Sequence, residues 1–594
     1  MTQTMTHTEP TGQTGAEQSA SQPTTPVKRK GVDYKWIALS NTTLGVLLSA
    51  TTSNIMLISL PAIFRGMNVN PLSSGGVNYM LWMLMGFTVV TATLQVTFGR
   101  LSDMFGRVRL YNLGFAVFTV ASILLYFTPD FVPSGGGSTG LTLLIIFRLL
   151  QGVGAGFLFA NSMAIITDAF RATERGMALG LNQVASIGGT LLGLILGGIL
   201  SAIDYRLVFL VSVPIGLFGT VWAYVKLKEQ SKPDRGQRID WLGNATFAIG
   251  LTILLLGLTT AIQPYGGSTM GWSNPLVLTG IFGGIVLLIA FAIIELRVDQ
   301  PMFHLRLFRI RAFACGNISL FLSSIARGGL QFILVIWLQG IWLPLHGYSF
   351  ESTPLWAGIY MLPMSAGFFV AGPVCGRLSD RYGARWFATG GMVLSAIGFL
   401  ALNLLPFDFK FVGFFFILLI LGLGMGMFAA PNSSAIMNSV PNADRGASSG
   451  MRSTFQNAGM SLSMGLYFTI LIIGMSHHLP SVLQGGLLNA GVPAVQADQI
   501  AHMSPTAALF AAFLGYNPMK TLIPDNVMSA LPQATQHTLL SNSFFPDAIA
   551  PAVMSSLHIA FWISVGLSVI AAVVSFMRGG RYVYSEDKSH AHKH

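Results

Sequence analysis

Long apolar runs constrain the fold of this chain more than any other feature of its sequence. About 20 helical residues cross the hydrocarbon core of a bilayer, where backbone polar groups must pair within their own segment. Each run is therefore predicted to be a transmembrane α-helix, which gives an all-α integral membrane protein with fourteen helices. The runs are centred near residues 50, 87, 120, 155, 188, 217, 252, 286, 327, 366, 396, 422, 462 and 566.

The composition supports a membrane protein. Charged residues occupy only 9% of the 594 positions, whereas a soluble domain carries about a quarter. The first apolar run, at about residues 36–64, is too long for a signal-peptide core and lacks a small-residue cleavage site. We therefore expect it to remain as helix 1. Cys315 and Cys375 both lie within apolar runs, which argues against a disulfide framework.

The positive charges lie on one side of the predicted helices. With the N-terminus in the cytoplasm, 27 of the 33 Lys and Arg residues fall in cytoplasmic segments and four fall outside. Only Arg148 and Arg327 lie within helices, because Arg452 and Arg578 are assigned to cytoplasmic connections. This asymmetry obeys the positive-inside rule and places both termini in the cytoplasm. It also explains the net charge of +11 without a nucleic-acid partner.

The helices form two related halves. A shift of 270 residues brings Gly152 and Gly154 onto Gly422 and Gly424, so helices 1–6 and 9–14 are predicted copies with helices 7 and 8 inserted between them. Parallel repeats of this kind rock against each other around a central site. The predicted units are a disordered cytoplasmic tail at 1–35, the first half at 36–230, the inserted helices at 231–300, the second half at 301–577 and a cytoplasmic tail at 578–594.

The second half contains a long outer segment at 477–551. Its histidines lack the spacing of metal ligands, so we expect no metal site there. An extracellular cap with short amphipathic pieces, such as residues 506–513, is the preferred interpretation.

Two short charged links join apolar runs at matching places in the two halves. The first reads GRLSDMFGRVR at 99–109 and the second reads GRLSDRYGAR at 376–385. In each link a glycine allows a helix end to approach a neighbour, an aspartate accepts hydrogen bonds, and arginines stay in water. Any arginine cluster would serve as a positive cytoplasmic loop, but two copies in matching surroundings argue against that alternative. The predicted gating residues are Gly99, Asp103, Gly106, Arg107, Gly376, Asp380 and Gly383.

These links resemble the loop between helices 2 and 3 of the major facilitator superfamily. Helix 4 carries RLLQGVGAG at 148–156, which resembles the motif to which proton coupling is attributed in the drug:proton antiporters of that superfamily. The resemblance implies a coupling role for Arg148 and Gln151. The alternative is a structural arginine held by carbonyls or by Gln151 near the outer leaflet. Helix 1 departs from the antiporter pattern, because Thr51 or Thr52 stands where the family has an acid.

Helix 5 has a ridge of glycines whose spacing resembles the antiporter motif, with Leu194 in place of its proline. Glycines four residues apart give a smooth face on which a partner helix can slide, although plain helix packing is the alternative. The resemblance favours export, because sugar-uptake members of the superfamily typically lack this ridge. The ridge consists of Gly180, Gly189, Gly193, Gly197 and Gly198.

Arg327 is the second predicted membrane arginine and a further candidate for proton coupling. It attracts an anionic group on the substrate, pairs with a distant acid, or has a structural role, and the sequence does not choose among these. At the second-half position that matches Arg148 the chain has Leu418. The predicted chemistry is therefore concentrated in the first half.

Together the motifs imply a fourteen-helix exporter of the drug:proton antiporter type in the cell membrane. It would move hydrophobic or amphipathic small molecules outward by alternating access, as a monomer in the lipid bilayer. The proton gradient would supply the energy, with no cofactor, no metal and no enzymatic reaction, since the chain lacks a P-loop of the form G-x4-G-K-[ST]. The alternatives are a lipid or secreted-metabolite exporter with weak or no proton coupling, and a non-transporting membrane receptor or scaffold. The two intact links and the glycine ridge argue against the receptor or scaffold.

Overall fold

A computed structural model describes most of the chain. The described residues are 33–67, 69, 76–132, 137–171, 174–230, 240–261, 265–266, 270–298, 301, 303–406, 408–441 and 445–580. The predicted tails at 1–35 and 578–594 lie almost wholly outside these residues. No β-strand occurs within the described ranges.

Within the part of the chain that the structure describes, fourteen helices are long and apolar enough to cross a membrane, which confirms the predicted fold class. They are numbered 1 to 14 in chain order. Their bounds are Tyr34–Gly66, Gly76–Phe105, Arg107–Phe127, Gly137–Ala169, Arg175–Ile203, Leu207–Lys226, Trp241–Thr260, Pro275–Arg297, Arg311–Leu345, Thr353–Tyr382, Ala384–Asn403, Phe411–Asn438, Arg445–Asn489 and Phe544–Met577.

The glycines of helices 4 and 12 pack in equivalent ways in the two halves. A Cβ on Gly154 would lie 2.6 Å from the backbone nitrogen of Phe118 in helix 3. A Cβ on Gly424 would lie 2.7 Å from the carbonyl oxygen of Gly391 in helix 11. Small residues let helix backbones approach closely in a membrane, so the repeat seen in the sequence corresponds to a repeat in packing.

Helices 7 and 8 pack against each other and against the first half. A Cβ on Gly284 of helix 8 would lie 2.8 Å from the carbonyl oxygen of Gly250 in helix 7. Helix 7 also contacts helix 2, where the hydroxyl groups of Thr252 and Thr93 lie 3.4 Å apart. Helix 8 is largely exposed on the outside of the bundle.

The connection between helices 13 and 14 differs from its predicted form. Helix 13 continues to Asn489 and helix 14 begins at Phe544, so the connection covers 490–543 instead of 477–551. Residues Pro505–Phe513 form a helix that is buried almost throughout, so the expectation of an amphipathic piece at 506–513 is wrong. Phe510 of this helix stacks on Phe468 of helix 13 with ring centroids 5.3 Å apart.

The same short helix lies against a local irregularity in helix 9. Residues Leu338–Trp342 form a π-helical turn there, and a Cβ on Gly340 would lie 3.1 Å from the Cα of Phe513. The wider π-turn places Gly340 where the backbone of the short helix can approach. The connection therefore packs into one end of the bundle and buries apolar surface that would otherwise face water.

Helix 11 offers an adjacent pair of glycines that tests this packing. A Cβ on Gly391 would lie 2.6 Å from the carbonyl oxygen of Gly424, whereas a Cβ on Gly390 would meet only the end of Met427 at 3.6 Å. We expect Gly391→Ala to lower the free energy of unfolding by about 1–3 kcal/mol through overpacking. Gly390→Ala is the control and should leave it unchanged or raised. Thermal unfolding of the two purified variants measures the difference, and equal melting temperatures would contradict it.

Candidate functional site

A central cavity lies between the two halves. It has an empty volume of about 1640 Å³, including space that opens to the outside. Helices 1, 2, 4 and 5 of the first half and helices 9, 10, 12 and 13 of the second half line it, and helices 7 and 8 do not. Its wall combines hydroxyl and amide side chains with phenylalanine rings and methionine thioethers. Such a mixture suits a ligand that has both polar and apolar parts.

The two halves contribute equivalent positions to the cavity but different side chains. The 270-residue shift places Asn182 of helix 5 on Arg452 of helix 13, and both side chains line the cavity. A shift of 274 residues places Ser53 of helix 1 on Arg327 of helix 9, and these line it too. The repeat therefore supplies the shape of the cavity, whereas the second half supplies its charge.

Arg452 is a functional candidate that the sequence analysis missed. It was assigned to a cytoplasmic connection, but it lies in helix 13 and is 1% exposed. The assignment was wrong because the first turns of helix 13 are polar, which conceals them from a search for apolar runs. Its alignment with Asn182 in the middle of an apolar helix was a signal that could have found it.

The two cavity arginines have few partners. Arg452 donates through Nη2 to the Ser433 hydroxyl at 2.7 Å and through Nη1 to the Met163 sulfur at 3.3 Å, while its buried Nε has no partner. Among the described residues, Arg327 makes no hydrogen bond or ion pair. The two positive charges repel each other.

Arg578, predicted to begin the cytoplasmic tail, is a second arginine whose side chain is buried. It follows the last residue of helix 14, and its side chain is buried and donates to the Asn432 side-chain oxygen of helix 12. Burial lowers the pKa of the Arg578 guanidinium to about 10. The group therefore stays charged at neutral pH and joins the ends of helices 12 and 14.

Two pairs of amide side chains bridge the halves across the cavity. Gln331 of helix 9 donates to Asn54 of helix 1 at 2.9 Å. Asn457 of helix 13 donates to Gln95 of helix 2 at 2.6 Å. Neutral hydrogen bonds of this kind contribute only about 0.5–1.5 kcal/mol each, so a modest free energy can break these two bridges.

Arg148 and Gln151 are brought together, as the helix 4 motif predicted. Arg148 is 2% exposed, donates to the Gln151 side-chain oxygen and to the Thr52 carbonyl at 3.0 Å, and lies 4.6 Å from the centroid of the Phe87 ring. Gln151 in turn donates to Ser122 at 2.8 Å. Arg148 is therefore held within the first half by neutral groups. Arg148 does not line the central cavity. Arg327, the other predicted coupling candidate, does line the cavity and is therefore separate from the Arg148–Gln151 pair.

The first charged link forms an ionic network at the end of helix 2. Arg107 contacts Asp103 at 2.8 Å and Asp168 at the end of helix 4 at 2.6 Å. Gly106 has a φ of 107° and its counterpart Gly383 has a φ of 87°. Because L side chains rarely adopt such values, both links need glycine at this turn.

Other glycines of the two links have less demanding surroundings. A Cβ on Gly99 would meet nothing within 4 Å, and one on Gly376 would meet only Ala430 at 3.3 Å. Gly99 is therefore not the glycine of the first link that allows a close approach. In the second link Asp380 accepts from Ser434 of helix 12 at 3.5 Å, so each link is tied to the fourth helix of its own half.

The glycines of helix 5 face three different surroundings. A Cβ on Gly189, Gly193 or Gly197 would lie within 3.0 Å of a helix 1 carbonyl oxygen, so these three pack inside the first half. Gly198 faces the other half, since its Cβ would lie 2.6 Å from the Cα of Leu355 in helix 10. Gly180 has open space around it. Only part of the predicted ridge therefore lies where the halves meet.

The described residues contain no group of three or more His, Cys, Asp or Glu side chains that is arranged to hold a metal ion. Two histidines, one in helix 13 and one in the connection that follows it, bond locally. The His478 ring lies 3.1 Å from the Gly474 carbonyl, and the His502 ring lies 2.8 Å from the Asp498 carbonyl.

Relatives of this chain are transporters and resistance proteins. The riboflavin transporter RibZ of Clostridioides difficile (strain 630) is 27% identical over 448 residues, which cover 75% of this chain and 90% of the relative. Multidrug resistance protein 3 of Bacillus subtilis (strain 168) is 26% identical over 87% of this chain and 93% of its own length. The tetracenomycin C resistance and export protein of Streptomyces glaucescens is 24% identical over 93% of both chains.

The fold is also found in solved structures. The proton:xylose symporter XylE bound to 6-bromo-6-deoxy-D-glucose matches with a TM-score of 0.52 and 16% identity, covering 83% of this chain and 96% of that one. The family model described as Major Facilitator Superfamily matches residues 42–326 and 239–464. With its fourteen membrane helices and its cavity between two repeated halves, this multi-pass membrane protein belongs to the Major Facilitator Superfamily.

Proposed function

We propose that this protein exports amphipathic small molecules across the cell membrane by alternating access, in exchange for protons. The observation that carries the proposal is the central cavity, which both halves line with amide, hydroxyl and aromatic side chains. Multidrug and antibiotic exporters among the relatives support outward transport. The excess of positive charge on one side of the helices supports cytoplasmic termini.

Alternating access requires contacts between the halves that can break and re-form. The neutral amide pairs Gln331–Asn54 and Asn457–Gln95 meet this requirement. The contact of Gly198 with Leu355 also meets it, because Gly198 has no side chain that would have to leave its neighbours when the halves separate. In this proposal the first link acts as a gate, where the network of Arg107 with Asp103 and Asp168 ties the ends of helices 2, 3 and 4 together as the first half rocks.

The surroundings of Arg148 bear on the energy source. Arg148 donates to the backbone carbonyl of Thr52, at a position where the antiporter pattern has an acid. Arg148 cannot itself carry the proton, because a guanidinium does not release its proton at neutral pH. We propose that Arg148 and Gln151 hold helices 1, 3 and 4 in the arrangement that coupling needs. The absence of a carboxylate from the described cavity lining favours a second candidate, an exporter of lipids or secreted metabolites with weak or no proton coupling.

Transport in everted membrane vesicles tests the proposal directly. We expect the vesicles to accumulate at least one member of a panel that contains lipophilic cations, neutral compounds and anions. An imposed gradient, acidic inside, should accelerate accumulation, and a protonophore should remove the acceleration. Accumulation that ignores the gradient would select the second candidate. No accumulation of any compound would contradict export.

Arg148→Ala tests the coupling role. We expect this variant to fold and to lose the acceleration by the proton gradient, because helices 1 and 4 lose their link through the Thr52 carbonyl. Arg65→Gln is the control, since Arg65 is an exposed arginine at the end of helix 1. Full gradient dependence in Arg148→Ala would remove Arg148 from the coupling path.

Asp103→Asn tests the gating role of the first link. Asparagine keeps the shape of the side chain but removes the charge that pairs with Arg107. We expect a folded protein with export slowed severalfold, measured as the initial rate in vesicles. Asp498→Asn, at an exposed position outside the bundle, should transport normally. Equal rates in both variants would count against the gate.

A further inference from the structure

We infer that the central cavity binds an amphipathic anion whose acidic group is held between Arg327 and Arg452. This inference rests on the proposed function and specifies the substrate class of the same cavity. It follows from the charge of the cavity wall, from the unused donors of the two arginines and from the composition of the remaining surface.

The charge of the cavity wall has one sign. Arg327 and Arg452 line the cavity, and no Asp or Glu does so among the described residues. The acidic side chains of the described membrane helices lie within a few residues of a helix end, as for Asp103, Asp168 and Glu295. A protein-derived counter-ion is therefore distant from both guanidinium groups.

The donors of the two arginines are largely unused. Each guanidinium presents five N–H donors, yet Arg327 has no partner among the described residues and Arg452 has only the Ser433 hydroxyl and a methionine sulfur. Leaving a buried charge unpaired is costly, and two like charges on one cavity add to that cost. The arrangement is explained if a ligand supplies the missing negative charge.

An oxyanion with two or three oxygens fits these donors. Carboxylate, sulfonate and phosphate groups accept forked hydrogen bonds from guanidinium, and such charge-assisted bonds are the strong ones. Arg327 extends from helix 9 and Arg452 from helix 13, so one acidic group would join two helices of the second half. Ser324 and Gln456 from the same helices also line the cavity and offer further polar contacts.

The rest of the cavity is suited to an apolar body. Phe87 and Phe159 from the first half and Phe368 and Phe428 from the second half line it. Aromatic rings and thioethers favour flat, polarisable molecules. The cavity thus combines a positive region with an aromatic surface, which matches an aromatic or polycyclic molecule with one acidic group.

An anionic substrate also changes the energetics of export. A membrane potential that is negative inside drives an anion outward. Export would then gain energy from the potential, even with no carboxylate in the described cavity lining to carry a proton.

Binding of two matched dyes to the protein in lipid nanodiscs tests the inference. Anilinonaphthalene sulfonate is the anion, and phenylnaphthylamine has the same aromatic body without the sulfonate. Equilibrium dialysis measures both affinities after subtraction of binding to empty nanodiscs. We expect wild type to bind the sulfonate at least about tenfold more tightly than the neutral dye, as for a hydrogen bond to a charged group.

Three variants identify the cause of the preference. Arg327→Gln should weaken sulfonate binding about tenfold and leave the neutral dye unchanged, while Arg327→Lys should retain part of the preference. Arg311→Gln removes an exposed arginine at the start of the same helix and should behave as wild type. Because Arg327 has no partner in the described residues, its replacement by Gln should leave the melting temperature unchanged or raised.

The outcomes separate this inference from the proposed function. Equal affinities for the two dyes in wild type, or an unchanged preference in Arg327→Gln, would overturn the anion site while export could still be observed in vesicles. Equal loss of both dyes with a lowered melting temperature would assign Arg327 a structural role and also overturn it. Arginine-dependent sulfonate binding without transport of any compound would support the anion site and contradict export.

Discussion

The bilayer offers no hydrogen bonds to the interior of this bundle, and the structure is organised by that constraint. Many hydroxyl side chains donate a hydrogen bond to a backbone carbonyl in the preceding turn of their own helix. Ser122 donates to the Phe118 carbonyl and Ser564 to the Ala560 carbonyl. Glycines then bring helix backbones together where no polar contact is needed. At the cavity two charged side chains keep unused donors, because Arg327 makes no hydrogen bond among the described residues and the Nε of Arg452 has no partner. A charged side chain that lines a cavity within the membrane marks a place where a ligand can bind.

The halves share a scaffold but use their arginines in different ways. Arg148 in the first half is enclosed by the Thr52 carbonyl and the Gln151 side chain. Arg327 and Arg452 in the second half face the cavity at positions where the first half has Ser53 and Asn182. The interpretation that the chemistry is concentrated in the first half is therefore incomplete. The two halves share their geometry, but the first half holds its arginine internally and the second half presents two arginines to the cavity.

Apolar runs sufficed to predict the number of helices, because crossing a bilayer imposes length and hydropathy together. They failed where a helix borders the polar cavity or leaves the bilayer. The first turns of helix 13 are rich in Ser, Asn and Gln because they line the cavity, so Arg452 was placed in a loop. Helix 13 also continues past its apolar run to Asn489, and the Pro505–Phe513 helix packs against it at Phe468. Hydropathy reports the lipid environment, whereas the first turns of helix 13 face a cavity inside the protein.

The charge of the cavity has a consequence for the transport cycle. A carrier that reorients with two uncompensated positive charges moves them through part of the membrane potential. Moving one charge across the whole membrane involves about 2.3 kcal/mol of electrical work per 100 mV. Binding one anion leaves a single positive charge and so reduces the electrical work of reorientation. The loaded and empty carriers then differ in their response to the potential. The charges of Arg327 and Arg452 thereby link the binding of the anion in the cavity to the membrane potential that drives transport.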